Sequence, residues 1–283
     1  MSSNELYGRT AREAAAAVIS AYSTSFGLAT SLLGPRVRPH VRNIYALVRV
    51  ADEIVDGAAA DAGLPLVTQR LVLDELEAET LTAIARGFSA NLIVHAFAET
   101  ARECAIGADL VRPFFASMRT DLDTASHDDL SHDDYVYGSA EVVGLMCLQV
   151  FLGAGMNPPI SVEPHVHEGA RRLGAAFQDV NFLRDLDDDR DRLGRDYLGE
   201  ATSPTRRVDV LDRIDADLDA AAAVISELPS DCRAAVTAAH DLFASLSRRL
   251  REDDGGQRVR VPNAIKAAIA ARALAGRPPR RQS

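Results

Sequence analysis

Apolar residues recur at the three-to-four-residue spacing of an α-helix along almost the whole chain. No run alternates apolar and polar side chains as a half-buried strand would. Prolines interrupt the helical pattern at or just before the first turn of a helix, where they are tolerated. We therefore predict an all-α fold. The predicted helices cover 9–33, 37–59, 68–86, 89–106, 109–125, 132–154, 162–193, 206–227, 231–251 and 262–275.

The breaks between these helices are short. The longest cover about 57–67, 194–205 and 252–261, and none is long enough to tether two separate domains. We expect one domain over the 283 residues, a bundle of roughly ten helices. Its core covers about 10–275, and the basic, proline-rich end at 276–283 is expected to be a disordered tail.

Charge and composition exclude several classes of protein. The chain has 41 acidic and 31 basic residues, a net charge of −10 that repels nucleic acid, so no nucleic-acid partner is expected. Cys104, Cys147 and Cys232 form no CxxC pair, which argues against a disulfide framework and favours a reducing cytoplasm. No apolar stretch of about 18 residues is free of charge, so we expect no membrane-spanning segment.

The helix predicted at 37–59 is apolar except for one narrow polar stripe. Arg49, Asp52, Glu53 and Asp56 follow at i, i+3, i+4 and i+7 and form the first acidic stripe, on one helix face. Asp52 and Asp56 are one turn apart, and like charges at this spacing destabilise a helix unless a positive group lies between them. A solvated helix face is the alternative interpretation.

The segment 175–198 carries a second acidic stripe. Gln178, Asn181, Asp185 and Asp189 share one helix face at i, i+3, i+7 and i+11. Carboxylate and amide oxygens at one-turn spacing suit Mg²⁺. Taken alone, such an acidic run is typical of a solvated helix end.

The pairing of the two stripes favours a functional interpretation. Both lie on otherwise apolar helices, and an arginine, Arg49 or Arg184, belongs to or adjoins each. Two facing carboxylate stripes would hold a cluster of Mg²⁺ ions, and the ions and arginines together would hold a diphosphate. This arrangement suits the loss of diphosphate from an allylic carbon, because metal ions neutralise the charge of the leaving group.

Four sequence blocks stand out along the chain: YSTSF (22–26), IYALVRVADEIVDG (44–57), YVYGSAEVVG (135–144) and FQDVNFLRDLDDDRDRLGRDYL (177–198). Together they resemble the phytoene synthase/squalene synthase family of head-to-head prenyl synthases, and the second and fourth blocks in combination are highly specific. The resemblance runs from about 14 to 275. It implies the isoprenoid synthase fold, a single all-α bundle around a central cavity.

The resemblance implies roles for individual residues. Five positions are implied as metal ligands: Asp52, Asp56, Asn181, Asp185 and Asp189. Six are implied as catalytic: Asp52, Asp56, Asp185, Asp189, Arg49 and Tyr45. The implied substrate contacts are Tyr22, Ser23, Thr24, Ser25, Tyr45, Arg49, Gln178, Arg184, Tyr135, Ser139, Ala140, Val143 and Gly144.

Several of these positions have a second interpretation from the residues alone. Tyr45 also suits core packing, and Ser23 and Ser25 suit a helix surface. The small residues of 138–144 suit close helix packing as well as the wall of a hydrocarbon cavity. Glu141 replaces a residue that is usually small in the family, and we expect it to turn outward or to pair with a base.

The helix predicted at 231–251 departs from the family pattern. A tyrosine is common there in the family, and Leu242 or Phe243 takes its place in this chain. We interpret the neighbouring His240 as a partly exposed helix residue without a catalytic role. His127 and His132 are assigned no function, because they lack metal-ligand spacing.

The implied reaction condenses two geranylgeranyl diphosphates through prephytoene diphosphate to phytoene, the first committed step of carotenoid biosynthesis. Mg²⁺ is the expected cofactor with Mn²⁺ as a substitute, and no NADPH is expected because the last step is loss of a proton. Phe26, Tyr45 and Phe177 are the expected aromatic neighbours of the cations. Thr30 is small, which leaves room for a longer tail. It favours this reaction over the alternative, a squalene or dehydrosqualene synthase acting on two farnesyl diphosphates.

A non-catalytic scaffold and a terpene cyclase are two alternatives to a head-to-head prenyl synthase. A non-catalytic scaffold of the same fold would be expected to have lost one acidic stripe, and both are intact. A terpene cyclase would use one substrate and would usually pair a DDxxD motif with a longer NSE-type motif, and we find no NSE-type motif in this sequence.

The implied product is a hydrocarbon that water does not accept, since each buried CH₂ contributes about 0.8 kcal/mol. We therefore expect a cytoplasmic enzyme that touches the inner face of the membrane transiently and hands its product to a downstream desaturase. The basic segments 258–281 and 35–42 are the candidate membrane contacts.

Overall fold

The computed structural model contains only helices as regular elements in the part of the chain that it describes, which confirms the predicted all-α fold. The described residues are 1–23, 25–123, 129–157, 161–193, 204–253 and 258–281, without the side chains of 25, 129–131, 186–193 and 204. The elements are α1 (Ser3–Tyr22), α2 (Ser25–Ser31), α3 (Arg38–Val55), α4 (Ala58–Asp61), α5 (Leu66–Arg86), α6 (Leu92–Cys104), α7 (Ala108–Asp123), α8 (Asp129–Val136), a π-turn (Tyr137–Glu141), α9 (Val142–Gly153), α10 (Pro164–Leu193), α11 (Pro204–Val224), a 3₁₀ turn (Ile225–Glu227), α12 (Ser230–Glu252) and α13 (Asn263–Leu274).

The predicted helix at 9–33 is wrong in its start and in its continuity. α1 begins at Ser3 because Ser2 and Glu5 form a capping box, in which each side chain accepts a hydrogen bond from the other residue's backbone N–H. The helix then ends at Tyr22, and the extended backbone of Ser23 separates it from α2. The polar first block therefore lies at a helix junction.

The described apolar side chains form two large clusters. One joins α3, α5, α6, α7 and α9 and contains the fully buried rings of Phe97, Phe114 and Phe115. The other joins α8, α10, α11 and α12, with Ile214 and Leu218 completely buried. Residues of both clusters line one cavity, so the two halves of the core together build its wall.

The π-turn packs very closely against α7 on one side and α10 on the other. A Cβ atom added at Gly138 would lie 1.9 Å from Oγ of Ser117, and one added at Gly174 would lie 2.6 Å from the carbonyl oxygen of Ala140. Only glycine fits at such distances. A π-helical turn is frequent at functional sites, because it shifts side chains out of the regular helical register.

One helical stretch in the described part of the chain, His132–Gly153, is long and apolar enough to cross a membrane by length and composition alone. In the structure 61% of an 18-residue window of this stretch is buried inside the protein. The stretch includes the π-turn and α9, and its apolar character is that of a core helix.

Candidate active site

A cavity of about 570 Å³ lies between the two apolar clusters, within the usual size range of small-molecule sites. Both acidic stripes contribute to its wall. Asp52 of α3 and Asp56, which directly follows that helix, line it on one side, and Asn181 and Asp185 line it from α10. Two sequence segments about 130 residues apart therefore meet at one chamber.

The first acidic stripe carries an excess of negative charge. Burial raises the pKa of Asp52 to about 8, and the negative charges of Asp56 and Asp121 add to that rise, although Arg49 opposes it. Arg49 is ion-paired with Glu53 one turn away, and its guanidinium carbon lies 4.4 Å above the ring of Tyr22. Part of the arginine's charge is thus directed away from the two aspartates.

The second acidic stripe is balanced by arginines. Asp185 accepts hydrogen bonds from Arg184 at 2.6 and 3.0 Å and from Arg258 at 2.7 Å. Burial alone would raise the pKa of Asp185, and the two arginines outweigh it and lower that pKa. Gln178, Asn181 and Arg184 also line the cavity. The side chain of Asp189 lies outside the described residues.

The residues at the cavity fit a divalent metal ion with oxygen ligands. Asp52, Asp56, Asn181 and Asp185 supply carboxylate and amide oxygens. Burial raises the pKa of Asp52, and a bound cation would favour its ionised form again. Among the described residues no three carboxylate, histidine or cysteine side chains converge on one point. Such a donor set suits Mg²⁺, which is commonly held by one or two carboxylates, water and substrate phosphates.

Four aromatic rings meet beside the two stripes. Phe26 lies 6.4 Å from the ring of Tyr45 and 5.8 Å from that of Phe177, and Phe177 stacks on Phe243 at 3.8 Å. The structure thus brings together the three rings singled out from sequence. Phe243, one of the two residues that could replace the family's tyrosine, adds a fourth ring that the sequence did not indicate.

The first block contributes at the edge of the site. Tyr22 is 51% exposed and covers Arg49. The side chain of Ser23 is hydrogen-bonded to that of Tyr45, whose pKa is raised chiefly by burial. Of the described residues, the cavity lining includes neither Tyr22 nor Ser23. Thr24, together with the side chain of Ser25, lies outside the described residues.

The third block, 135–144, packs closely against neighbouring helices and also lines the cavity. Gly138 and Gly144 allow close helix packing. Ser139, Ala140, Val143 and Gly144 also line the cavity, and so does Tyr135. The cavity wall at this block is formed by backbone and mostly small side chains.

Glu141 pairs with a base, as predicted from its departure from the family pattern. Its Oε2 accepts a hydrogen bond of 2.6 Å from Nε of Arg171, and this pair joins the π-turn to α10. The predicted partial exposure of His240 is wrong, because its side chain is completely buried. It contacts Asp241 at 3.1 Å and the carbonyl oxygen of Leu218 at 3.0 Å, so it serves to hold α12 against α11.

Two residues at the site carry no recognisable sequence signal. Asp121 of α7 is buried, lines the cavity and accepts a hydrogen bond from the hydroxyl of Tyr135. Arg258 reaches Asp185 from beyond the end of α12. Both contacts depend on the tertiary arrangement, and neither residue belongs to a motif.

Comparison with known proteins places this geometry in context. Residues 19–209 match the Squalene/phytoene synthase family. A 15-cis-phytoene synthase of Paracoccus sp. is 30% identical over 276 residues, which cover 87% of this chain and 85% of that protein. Phytoene synthase 1, chloroplastic, of Arabidopsis thaliana is 33% identical over 185 residues, 64% of this chain. This match spans only 41% of the plant protein.

Solved structures share the fold. A dehydrosqualene synthase in complex with a ligand matches 95% of this chain and 97% of its own, with a TM-score of 0.77 and 20% identity. A squalene synthase from Alicyclobacillus acidocaldarius matches 87% of this chain and 95% of its own, with a TM-score of 0.74 and 19% identity. The helical bundle is therefore that of the isoprenoid synthases.

Proposed function

The chain belongs to the squalene/phytoene synthase family, a family of prenyltransferases, and from this membership we propose a specific reaction. The enzyme condenses two geranylgeranyl diphosphates head-to-head, through prephytoene diphosphate, to phytoene, the first committed step of carotenoid biosynthesis. It requires Mg²⁺, for which Mn²⁺ substitutes, and it uses no NADPH.

One observation carries the proposal: charged side chains and an apolar wall line the same cavity. Asp52, Asp56, Asn181 and Asp185 line the same cavity as the small and apolar residues of the π-turn and α9. A prenyl diphosphate has the same division, with a charged head on a long hydrocarbon tail. The 15-cis-phytoene synthase activity that names the Paracoccus relative supports this choice.

The chain's own residues account for most of the chemistry. Arg49 and Arg184 would bind diphosphate oxygens, with Gln178 beside them as a further hydrogen-bond donor. Bound Mg²⁺, held by Asp52, Asp56, Asn181, Asp185 and Asp189, would neutralise the charge of the leaving diphosphate. The apolar wall excludes water from the cations, and the rings of Phe26, Tyr45 and Phe177 offer them π-faces.

The size of the tail separates this reaction from its alternative. Thr30 lines the cavity one helical turn beyond Phe26 and is 4% exposed. A small side chain at this position supports the C20 substrate. The alternative is a squalene or dehydrosqualene synthase acting on two farnesyl diphosphates, and the fold is shared with enzymes of those names.

The test supplies one labelled prenyl diphosphate at a time with Mg²⁺ and identifies the hydrocarbon by mass spectrometry. We expect a C40 product from geranylgeranyl diphosphate without NADPH. A C30 product from farnesyl diphosphate at a higher kcat/KM would establish the alternative. A cyclic product from a single substrate molecule would instead indicate a terpene cyclase.

We also propose that the enzyme touches the inner face of the membrane from the cytoplasm and hands its product to a downstream desaturase. Leu274 at the end of α13 is 64% exposed among basic residues. Segment 35–42 is less suited to this role than its sequence suggests. The guanidinium of Arg36 donates hydrogen bonds to the Asp231 carboxylate and to two backbone carbonyl oxygens. The guanidinium of Arg38 donates to the carbonyl oxygen of Leu33, so both arginines are already engaged within the protein.

The membrane test must keep the C-terminal fold. Residues 276–281, predicted as a disordered tail, make contacts in the structure. The backbone N–H of Arg280 donates to Asp241 at 2.8 Å, and Arg272 donates to the carbonyl oxygen of Pro278. We therefore prefer charge removal to truncation. Replacement of Arg277, Arg280 and Arg281 by glutamine should weaken co-sedimentation with anionic vesicles, and equal pelleting would exclude this anchor.

A further inference from the structure

Tyr135 faces the cavity from the last turn of α8, and its hydroxyl group is held from α7. The hydroxyl donates a hydrogen bond of 3.0 Å to Oδ2 of Asp121. The two residues are 6% and 5% exposed, and both line the cavity. A phenol and a carboxyl group thus form a buried dyad inside the chamber.

The ring of Tyr135 is held at two further points. Oγ of Ser117, one turn before Asp121 on α7, donates to the carbonyl oxygen of Tyr135 at 3.1 Å. The ring of Phe182 lies 5.8 Å from that of Tyr135. The tight approach at Gly138 presses the same stretch of backbone against Ser117. Backbone and ring are therefore fixed independently of Asp121, which leaves the direction of the hydroxyl as its contribution.

We propose that Asp121 is a positioning residue that decides which side of the Tyr135 hydroxyl faces the substrate. A phenol hydroxyl has one proton and two lone-pair sites. With the proton directed at Asp121, the oxygen would turn a lone pair toward the cavity that Tyr135 lines. An oxygen lone pair attracts positive charge, so the oriented hydroxyl stabilises cations formed within reach of it. The opposite orientation would present a proton and repel them.

This inference rests on the proposed function, since only a reaction through carbocations gives the oriented oxygen a charge to stabilise. A structural role for Asp121 is the competing explanation. It predicts lost stability and a reduced amount of folded enzyme, but no special dependence on Tyr135. A double-mutant cycle in kcat, with thermal unfolding measured in parallel, separates the two.

The cycle uses Tyr135→Phe, Asp121→Leu and their combination. We expect each single substitution to lower kcat by about 10- to 100-fold with KM changed less than about threefold, because the lost interaction acts mainly in the transition state. The double variant should be no slower than the slower single variant within about twofold. Each single variant should also release a larger fraction of the intermediate, prephytoene diphosphate, than the wild type does.

Two further variants keep the test decisive. Asp121→Asn retains an acceptor oxygen for the hydroxyl and should recover most of the activity lost in Asp121→Leu. Asp123→Asn on the same helix removes an exposed carboxylate paired with Arg70 and should behave as wild type. If Asp121→Leu does not fold, the cycle is run with Asp121→Ala.

The outcomes are distinguishable. Multiplying losses in the double variant, or losses that follow thermal stability alone, would overturn the role of Asp121 while the wild type remains an active prenyl synthase. A wild type that converts no prenyl diphosphate would overturn the proposed function and this inference with it.

Discussion

The two acidic stripes are alike in sequence and opposite in electrostatics. On α3, burial raises the pKa of Asp52 to about 8, and Arg49 is partly engaged by Glu53. On α10, Arg184 and Arg258 lower the pKa of Asp185. Within the described residues, Asp52 of the first acidic stripe has no arginine of its own, because Arg49 is paired with Glu53. Asp185 of the second stripe is already paired with two arginines.

This difference suggests how the stripes divide the binding of ions and diphosphate. A cation at the first acidic stripe would oppose the burial, and the smaller effect of the neighbouring carboxylates, that raise the pKa of Asp52. At the α10 stripe a cation must compete with two arginines, unless diphosphate oxygens draw those arginines away. Diphosphate and metal are therefore expected to bind together at the second acidic stripe, and metal alone is expected to favour the first.

The largest expected effect is on catalysis. Asp52→Asn or Asp185→Asn should each lower kcat by about 10²-fold or more, because each removes a charged oxygen ligand of the leaving group's metal ions. Steady-state assays with Mg²⁺ would measure this, and chelation should abolish activity in the wild type. Asp61→Asn, an exposed carboxylate on α4, is the matched control. Turnover of Asp52→Asn within threefold of the wild type would remove the basis for the site.

The same two substitutions should act on stability in opposite directions without metal. The folded state binds the Asp52 proton more tightly than the unfolded state, so the wild type loses stability as the pH rises from about 4 to about 8. Asp52→Asn lacks this loss. Because the Asp52 side chain is only partly shielded from solvent, we expect this variant to be about 1–2 kcal/mol more stable than the wild type at pH 8.5, or a few degrees in Tm.

Asp185→Asn should show the reverse. The pKa of Asp185 is lowered in the fold, so its stabilisation is present above the pKa of the unfolded chain and disappears as the pH falls through the folded pKa, below about 4. We expect this variant to be about 0.5–1 kcal/mol less stable than the wild type at pH 7. Thermal melts across the pH range would contradict the comparison if both variants shifted Tm in the same direction.

The smallest effect concerns Arg258. Its replacement by glutamine removes one competitor for Asp185, so Mn²⁺ affinity in the absence of diphosphate should rise by about two- to fivefold. Arg260→Gln, an exposed arginine in the same segment, is the control. Electron paramagnetic resonance of free Mn²⁺ would measure both, and lower affinity in Arg258→Gln would show that this arginine supports the metal site.

Helical periodicity was sufficient to predict the bundle, and one-turn spacing was sufficient to predict that Asn181 and Asp185 lie on the same side of their helix. Both are local properties of a helix, visible in the residues themselves. Polar residues at the α1–α2 junction gave no such signal, because a helix break at Ser23 depends on how the two segments pack. His240 was misjudged for a similar reason, since its partners lie on α11 and next to it in sequence.

The electrostatic contrast between the stripes could not be predicted from sequence. Arg258 is 73 residues from Asp185, and Asp121 belongs to a helix without a motif. The charge state of a buried carboxyl depends on such distant neighbours and on the water around it. Spacing alone therefore made Asp52 and Asp185 equivalent, and only the tertiary structure distinguishes them.

The central claim is that both stripes serve one diphosphate site, and diphosphate-linked metal binding tests it most directly. Mn²⁺ is titrated into the wild type, Asp52→Asn and Asp185→Asn, each with and without inorganic diphosphate, and bound Mn²⁺ is followed by electron paramagnetic resonance. We predict that diphosphate raises the number and affinity of Mn²⁺ ions bound by the wild type, and that either substitution alone abolishes this increase. An increase that survives in either variant would contradict a shared site.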